Sequence, residues 1–190
     1  MNNARQLADN DSYVSGQQEP FLTTGRIGDA LREAATSWPN VEALVSVEHG
    51  VRLTWSELDI AVDNFAVGLI AMGIRGGERV GLWAVNSAEW VIAQLATARA
   101  GIILVTINPA YRAEEFRFAV TAAGCAALIV GPAYKNSNFT KLALEAEPNL
   151  GNPDQQKILP TIRVAIQFGA MPMHGFVHWD DVSVAGLTYG

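Results

Sequence analysis

The sequence predicts an α/β fold, in which a parallel sheet with flanking helices is accompanied by a small N-terminal hairpin. Three apolar runs lie at residues 80–85, 102–107 and 126–130. In these runs apolar and polar residues do not alternate, as they would in a strand with one solvent-exposed face. Capped amphipathic helix patterns separate these runs, and strands that alternate with helices form parallel sheets through right-handed crossovers. We therefore expect the three runs to be buried strands of one sheet, with helices on both faces.

The elements before the sheet carry clear local signals. A first helix is predicted over residues 26–37, where Pro39 stops it. Two strand patterns, at 41–47 and 51–54, enclose the turn Glu48-His49-Gly50 and predict a hairpin. Thr54 and Glu57 have the spacing of a capping box, and the helix that they open has an apolar stripe and ends near Gly73.

The later part of the sequence also alternates predicted helices and strands. Asn86 and Glu89 predict a second capped helix start, and a further helix is expected after Arg112. The remaining predicted elements are a short helix at 140–146, a fourth strand at 162–166 and a last helix that begins near residue 179.

The composition limits the class of protein. The chain has 190 residues, of which 49% are hydrophobic, and this is enough for one substantial core. Its net charge of −6 argues against a nucleic-acid binder. The longest apolar run, at 100–107, is far shorter than the ~20 residues of a membrane helix, so no transmembrane segment is expected. Residues 1–20 are polar and predict a disordered tail without a secretory signal; the expected location is cytoplasmic, and peripheral membrane association is left open.

Motifs for nucleotide or metal chemistry are sparse. The sequence contains no Gly-x-Gly and no Gly-Lys pair, which excludes the dinucleotide fingerprint and the Walker loop. His174 and His178 could share a metal on a helix, but Gly175 between them favours a loop. The single cysteine, Cys125, predicts a small buried hydrophobe. We expect no catalytic, cofactor-binding or metal residue.

One segment has a position that suits a binding site. Asn108, Tyr111 and Arg112 come directly after a predicted strand, at the carboxyl edge where open α/β sheets bind ligands. The three residues are therefore candidates for lining a cleft. The alternative is a rigid loop with Arg112 on the surface.

Several motifs occur in an order that resembles the N-terminal portion of the acyl-adenylate-forming superfamily, particularly the medium- and long-chain fatty acyl-CoA ligases. The matching segments are 53–58 (LTWSEL), 73–80 (GIRGGERV), 86–90 (NSAEW), 100–111 (AGIILVTINPAY), 124–130 (GCAALIV), 159–163 (LPTIR) and 179–181 (WDD). The resemblance implies that residues 21–190 form the N-terminal subdomain of an AMP-binding ligase, truncated before the phosphate loop.

Members of this superfamily activate a carboxylic acid with ATP and Mg²⁺ and then transfer the acyl group from AMP to coenzyme A. Their phosphate loop ends in Pro-Lys-Gly, and this sequence has no Pro-Lys pair. The resemblance therefore implies a chain that binds none of these cofactors by itself. It would need the rest of its polypeptide to act on a fatty acid, ATP and CoA.

Other interpretations stay open at this stage. The chain could be a non-catalytic truncated product or an interaction module, prone to non-specific self-association through apolar surface left uncovered. It could also derive from an aryl-acid–CoA ligase. An unrelated nucleotide-binding α/β enzyme is disfavoured by the missing glycine loops.

Overall fold

A computed structural model describes residues 24–152, 154–169 and 171–188 of the chain. The tail predicted over residues 1–20 lies outside these residues. The elements in the described part are α1 (Ile27–Ser37), β1 (Glu42–Ser46), β2 (Val51–Thr54), α2 (Trp55–Ala71), β3 (Arg79–Trp83), α3 (Ala88–Arg99), β4 (Ile103–Thr106), α4 (Ala113–Ala123), β5 (Cys125–Val130), α5 (Phe139–Ala146), β6 (Val164–Gln167), β7 (Val177–His178) and α6 (Trp179–Thr188).

The predicted sheet is confirmed. Five parallel strands lie in the order β4-β3-β5-β6-β7, while β1 and β2 form a separate antiparallel hairpin. The three apolar runs are neighbours, with β3 between β4 and β5. From β3 the chain crosses to β4 on one side and then returns past β3 to β5 on the other.

Side chains that alternate along β3 point into two cores, one on each face of the sheet. Val80 and Leu82 belong to the first core, which α1, α2, α3 and α6 cover. Trp83 belongs to the second core, where it stacks on Phe116 of α4 with ring centroids 4.3 Å apart. Phe139 of α5 packs against the same indole. The prediction of helices on both faces is therefore confirmed.

Helix starts were predicted well, with one correction. Thr54 and Glu57 form the predicted capping box: the Thr54 amide donates to Glu57 Oε2 (2.8 Å) and the Glu57 amide donates to Thr54 Oγ1 (3.3 Å). The N-cap of α3 is Ser87, whose hydroxyl accepts from the Trp90 amide, and the expected Asn86 cap is wrong by one position. Serine and asparagine both suit this role, so only the local backbone decides between them.

The expectation that residues 102–107 form a buried strand is wrong. The strand exists as β4, but it lies at the edge of the sheet, and Ile103 is half exposed. A very short strand, β7, was not predicted and forms the other edge. An apolar run indicates a strand, but it does not say how many neighbours that strand has.

Candidate functional site

The sheet has a topological switch point between β3 and β5, because the crossovers that follow these two strands run in opposite directions. Open α/β sheets bind ligands in the crevice outside the carboxyl ends of such strands. An open crevice of about 790 Å³ lies here, and we call it the switch-point crevice. Four segments line it: the hairpin turn at 48–49, the loop after β3 at 85–86, the loop after β4 at 108–112 and the loop after β5 at 132–137.

Asn108 shapes the wall that follows β4. Its Oδ1 accepts from the Ala110 amide (2.9 Å), and its backbone carbonyl accepts from the Tyr111 amide (3.0 Å). The same carbonyl accepts from the indole Nε1 of buried Trp83 (3.1 Å). The turn is therefore fixed to the core of the sheet through Trp83.

Arg112 joins two walls of the crevice. Its amide donates to Glu115 Oε2 (2.7 Å), which caps the first turn of α4. Its guanidinium Nη1 contacts Ser137 Oγ (3.4 Å), so the loop after β4 is linked to the loop after β5. The Arg112 side chain is exposed and brings a positive charge to the crevice.

The wall after β5 is a tight turn. Tyr134 and Ser137 exchange two backbone hydrogen bonds, of 2.8 and 2.9 Å. Between them, Lys135 has a φ of 50°, a left-handed conformation that is uncommon outside glycine. Its ammonium lies 5.2 Å from the centre of the Tyr134 ring, within the range of a cation–π contact.

The structure brings together two of the three predicted cleft residues. Asn108 and Arg112 both line the switch-point crevice. Tyr111 lies on a different surface, in a depression of about 330 Å³ that it shares with Glu114, Glu115 and Phe118 of α4. Its ring packs partly against the second core. One residue step along the turn is enough to separate its side chain from that of Arg112.

Sequence reasoning did not assign the other polar residues of the crevice to a site, among them His49, Lys135 and Ser137. Lys135 and Ser137 follow a predicted strand, so the rule that pointed to Asn108 would also have found them. His49 had no such signal, because it comes from the separate hairpin, where its Nδ1 lies 2.9 Å from Ser46 Oγ.

The crevice can accept a small anionic or polar group. Arg112 and Lys135 are its two cationic side chains among the described residues, and Glu48 at the hairpin turn opposes them. Two cations on flexible side chains do not make a cradle for a triphosphate and its Mg²⁺, which needs converging backbone amides and a fixed cation.

His174 and His178 do not share a helix, as Gly175 between them indicated. His174 lies in a turn, while His178 ends β7 and its Nδ1 accepts from the Asp180 amide (3.3 Å). In the described ranges, no group of three or more His, Cys, Asp and Glu side chains converges as metal ligands would.

Cys125 is buried, as expected. Burial raises the pKa of its thiol to about 11, although the nearby Arg79 guanidinium acts in the opposite direction. A thiol that is protonated at neutral pH is a poor nucleophile.

The family assignment comes from comparison with known proteins. The family described as "AMP-binding enzyme" matches residues 31–184. The chain belongs to the AMP-binding enzyme family. The resemblance to acyl-adenylate-forming ligases noted in the sequence motifs is therefore confirmed.

Curated relatives of this AMP-binding chain are acyl-CoA ligases. The chain is 37% identical over 181 residues to the mitochondrial medium-chain acyl-CoA ligase ACSF2 of Homo sapiens, a match that covers 93% of the chain and 29% of the relative. The corresponding enzyme of Rattus norvegicus is 35% identical over 179 residues, covering 92% of the chain and 29% of the relative. The chain thus spans less than a third of the length of these relatives.

Solved structures share the fold. Acetoacetyl-CoA synthetase from Streptomyces lividans superposes with a TM-score of 0.70 at 25% identity, covering 83% of this chain and 25% of that one.

No helix in the part of the chain that the structure describes has both the length and the apolar character to cross a membrane.

Proposed function

We propose that this chain is part of an ATP-dependent ligase that joins a fatty acid to coenzyme A. The observation that carries the proposal is the similarity to medium-chain acyl-CoA ligases along 92–93% of the chain. The proposed substrates are a fatty acid, ATP with Mg²⁺, and CoA, each acted on only together with the rest of the polypeptide.

The reaction follows from the chemistry of carboxylates, which are poor electrophiles because they are anionic and lack a good leaving group. In the proposed first step, a carboxylate oxygen attacks the α-phosphorus of ATP, and an acyl-adenylate and pyrophosphate form. In the second step, the CoA thiol attacks the acyl carbon, AMP leaves, and a thioester forms.

The proposal assigns a structural role to this chain. The Trp83–Asn108 and Arg112–Ser137 contacts hold loops at the carboxyl edge of the sheet, and these loops form two walls of the crevice. The chemistry itself requires a phosphate cradle, and no Gly-Lys or Pro-Lys pair occurs in the sequence. Removing a single preorganised donor from an active site costs ~10²–10³ in rate, so we expect the chain alone to be inactive and to bind no ATP.

The test compares the chain alone with a chimera in which it replaces the matching 29% of the human relative. Pyrophosphate release is measured with ATP, Mg²⁺ and a series of C8–C18 acids, and ATP binding by calorimetry. We expect turnover from the chimera and none from the chain. Turnover by the chain alone, after contaminating ligases are removed, would contradict its proposed dependence on the remaining polypeptide. A folded chimera that releases no pyrophosphate with any acid would contradict the ligase assignment.

Two alternatives are separated by the same experiment. Aryl acids such as benzoate, added to the panel, distinguish an aryl-acid–CoA ligase from a fatty-acid ligase. A chimera that folds and fails with every acid would favour a non-catalytic interaction module.

The location belongs to the same proposal. We propose a cytoplasmic protein, in which peripheral association with a membrane is possible. The mammalian relatives are described as mitochondrial, so fractionation of cells that express the tagged protein tests the location directly.

A further inference from the structure

Two methionine side chains project into solvent from the segment that follows β6. Met171 is 86% exposed and Met173 is 37% exposed. Met72, at the end of α2, packs instead against the first core. Methionine is usually one of the more buried residue types, so the exposure of Met171 and Met173 is unusual.

This exposure does not come from a loosely held backbone. Gln167, a buried residue at the end of β6, donates from Nε2 to the Met171 carbonyl (3.2 Å) and accepts at Oε1 from the Met173 amide (3.0 Å). The Met173 carbonyl also accepts from the Phe176 amide (3.0 Å). The main chain is therefore bonded at both methionines, while the Met171 side chain is largely in solvent and the Met173 side chain is partly exposed.

We propose that Met171 is a site of reversible oxidation by peroxides, and that Met173 is oxidised second. The thioether sulfur attacks one oxygen of the hydroperoxide, so that an S–O bond forms and the O–O bond breaks. The sulfur is oxidised by two electrons to the sulfoxide, and the proton of the transferred oxygen moves to the leaving hydroxide or alkoxide, so that the peroxide is reduced to water or an alcohol. Methionine sulfoxide reductases reverse this change.

The two oxidations differ in their effect on the fold. The sulfoxide of Met171 adds a polar oxygen to a side chain that is already in solvent, so the fold is retained. Met173 is less exposed, so its sulfoxide forms more slowly and places the added oxygen on a side chain that is partly covered. Oxidation therefore begins at Met171 and continues more slowly at Met173.

The test treats the folded chain with hydrogen peroxide and measures sulfoxide at each methionine by peptide mass spectrometry over time. We expect Met171 to react at least about fivefold faster than Met72, with Met173 between them, because reaction rates follow exposure. In denaturant the three rates should converge, and a methionine sulfoxide reductase should restore Met171 in the folded chain.

Met171→Leu provides the matched control, because leucine keeps a side chain of similar volume and cannot be oxidised. This variant should lose the fast phase and keep the slower oxidation of Met173. Equal rates at Met171 and Met72 in the folded chain would overturn the proposal, and so would a Met171 sulfoxide that the reductase repairs only after unfolding.

Discussion

Gly68 of α2 and Gly186 of α6 face each other where these helices cross. A Cβ at Gly186 would lie 3.0 Å from the Gly68 amide nitrogen and would clash with the Asn64 carbonyl. A Cβ at Gly68 would clash with the Val182 carbonyl. The two backbones therefore approach as closely as they do because neither helix carries a side chain at the contact. This packing closes the first core around Val182 and Trp179, whose ring stacks on Phe65.

Substituting Gly68→Ala should destabilise the chain by about 2–3 kcal/mol, since overpacking against rigid backbone costs this much. Gly76→Ala is the matched control, because a Cβ there would find its nearest neighbours at 3.6 Å, an ordinary contact. The measurement is urea unfolding followed by circular dichroism. Equal unfolding midpoints for the two variants would show that α6 does not pack on α2 in this way.

The ion pair between Glu78 and Arg163 should make stability depend on pH. Arg163 donates two hydrogen bonds to the Glu78 carboxylate (3.0 and 2.7 Å), and these, together with the Arg75 amide, lower the pKa of Glu78 from 4.5 to about 2. Because the folded pKa is depressed, the stabilisation is present above pH 4.5 and is lost as the pH falls through about 2.

Glu78→Gln should therefore reduce the loss of stability between pH 4.5 and 2. The urea midpoint is measured across this window for the parent chain, Glu78→Gln, Arg163→Gln and the double variant. We expect each single variant to weaken the dependence of the urea midpoint on pH, and the double variant to weaken it little further. Parallel profiles for the parent and Glu78→Gln would contradict the assigned role.

Trp83→Phe tests the link between the core and the switch-point crevice. Phenylalanine keeps a ring against Phe116 but removes the donor to the Asn108 carbonyl. We expect a loss of about 1–3 kcal/mol from the missing hydrogen bond and the smaller ring. Trp38→Phe, at an exposed indole, should change stability by less than about 0.5 kcal/mol.

Hydrogen exchange provides a second readout for Trp83→Phe. The Ala110 and Tyr111 amides are bonded to Asn108, and they should exchange faster when that residue is released from Trp83. Unchanged exchange at these amides would mean that the turn holds its shape without the indole.

The buried Glu147 should be required for the segment between α5 and β6. Its two carboxylate oxygens accept from the Asn149 amide (2.9 Å) and the Leu159 amide (2.6 Å). Glu147→Gln places an amide donor against one of these N–H groups and should cost about 1–3 kcal/mol. The matched control is Glu145→Gln, at an exposed position of α5, which ends just before Glu147. Equal unfolding midpoints for the two variants would contradict this role.

Exposed apolar side chains should promote weak self-association of the chain. Val47 is 84% exposed and Phe118 is 76% exposed, and neither is covered by the described residues. Sedimentation velocity should show concentration-dependent association, which Val47→Ser with Phe118→Ser reduces. A monodisperse monomer at every concentration would contradict this expectation.

Local signals in the sequence determined most of the secondary structure. Thr54 and Glu57 form their capping box because the partners lie within one helical turn, so no distant residue is needed. The apolar runs became neighbouring parallel strands because capped helices separate them and crossovers have one favoured hand. The same rules placed Asn108 and Arg112 at the carboxyl edge of the sheet.

Only the tertiary structure decided which strands are edges and which side chains meet. Ile103 is as apolar as the residues of β5, yet it is half exposed, because β4 pairs with a strand on one side only. The composition of a strand does not indicate how many strands pair with it. His49 joins the crevice from a separate hairpin, and Tyr111 turns away from it, because side-chain direction depends on how the loops pack over the strand ends. Some of these relationships join residues that are distant in the chain, and others depend on the backbone geometry at a single residue. No local sequence pattern encodes either kind of relationship.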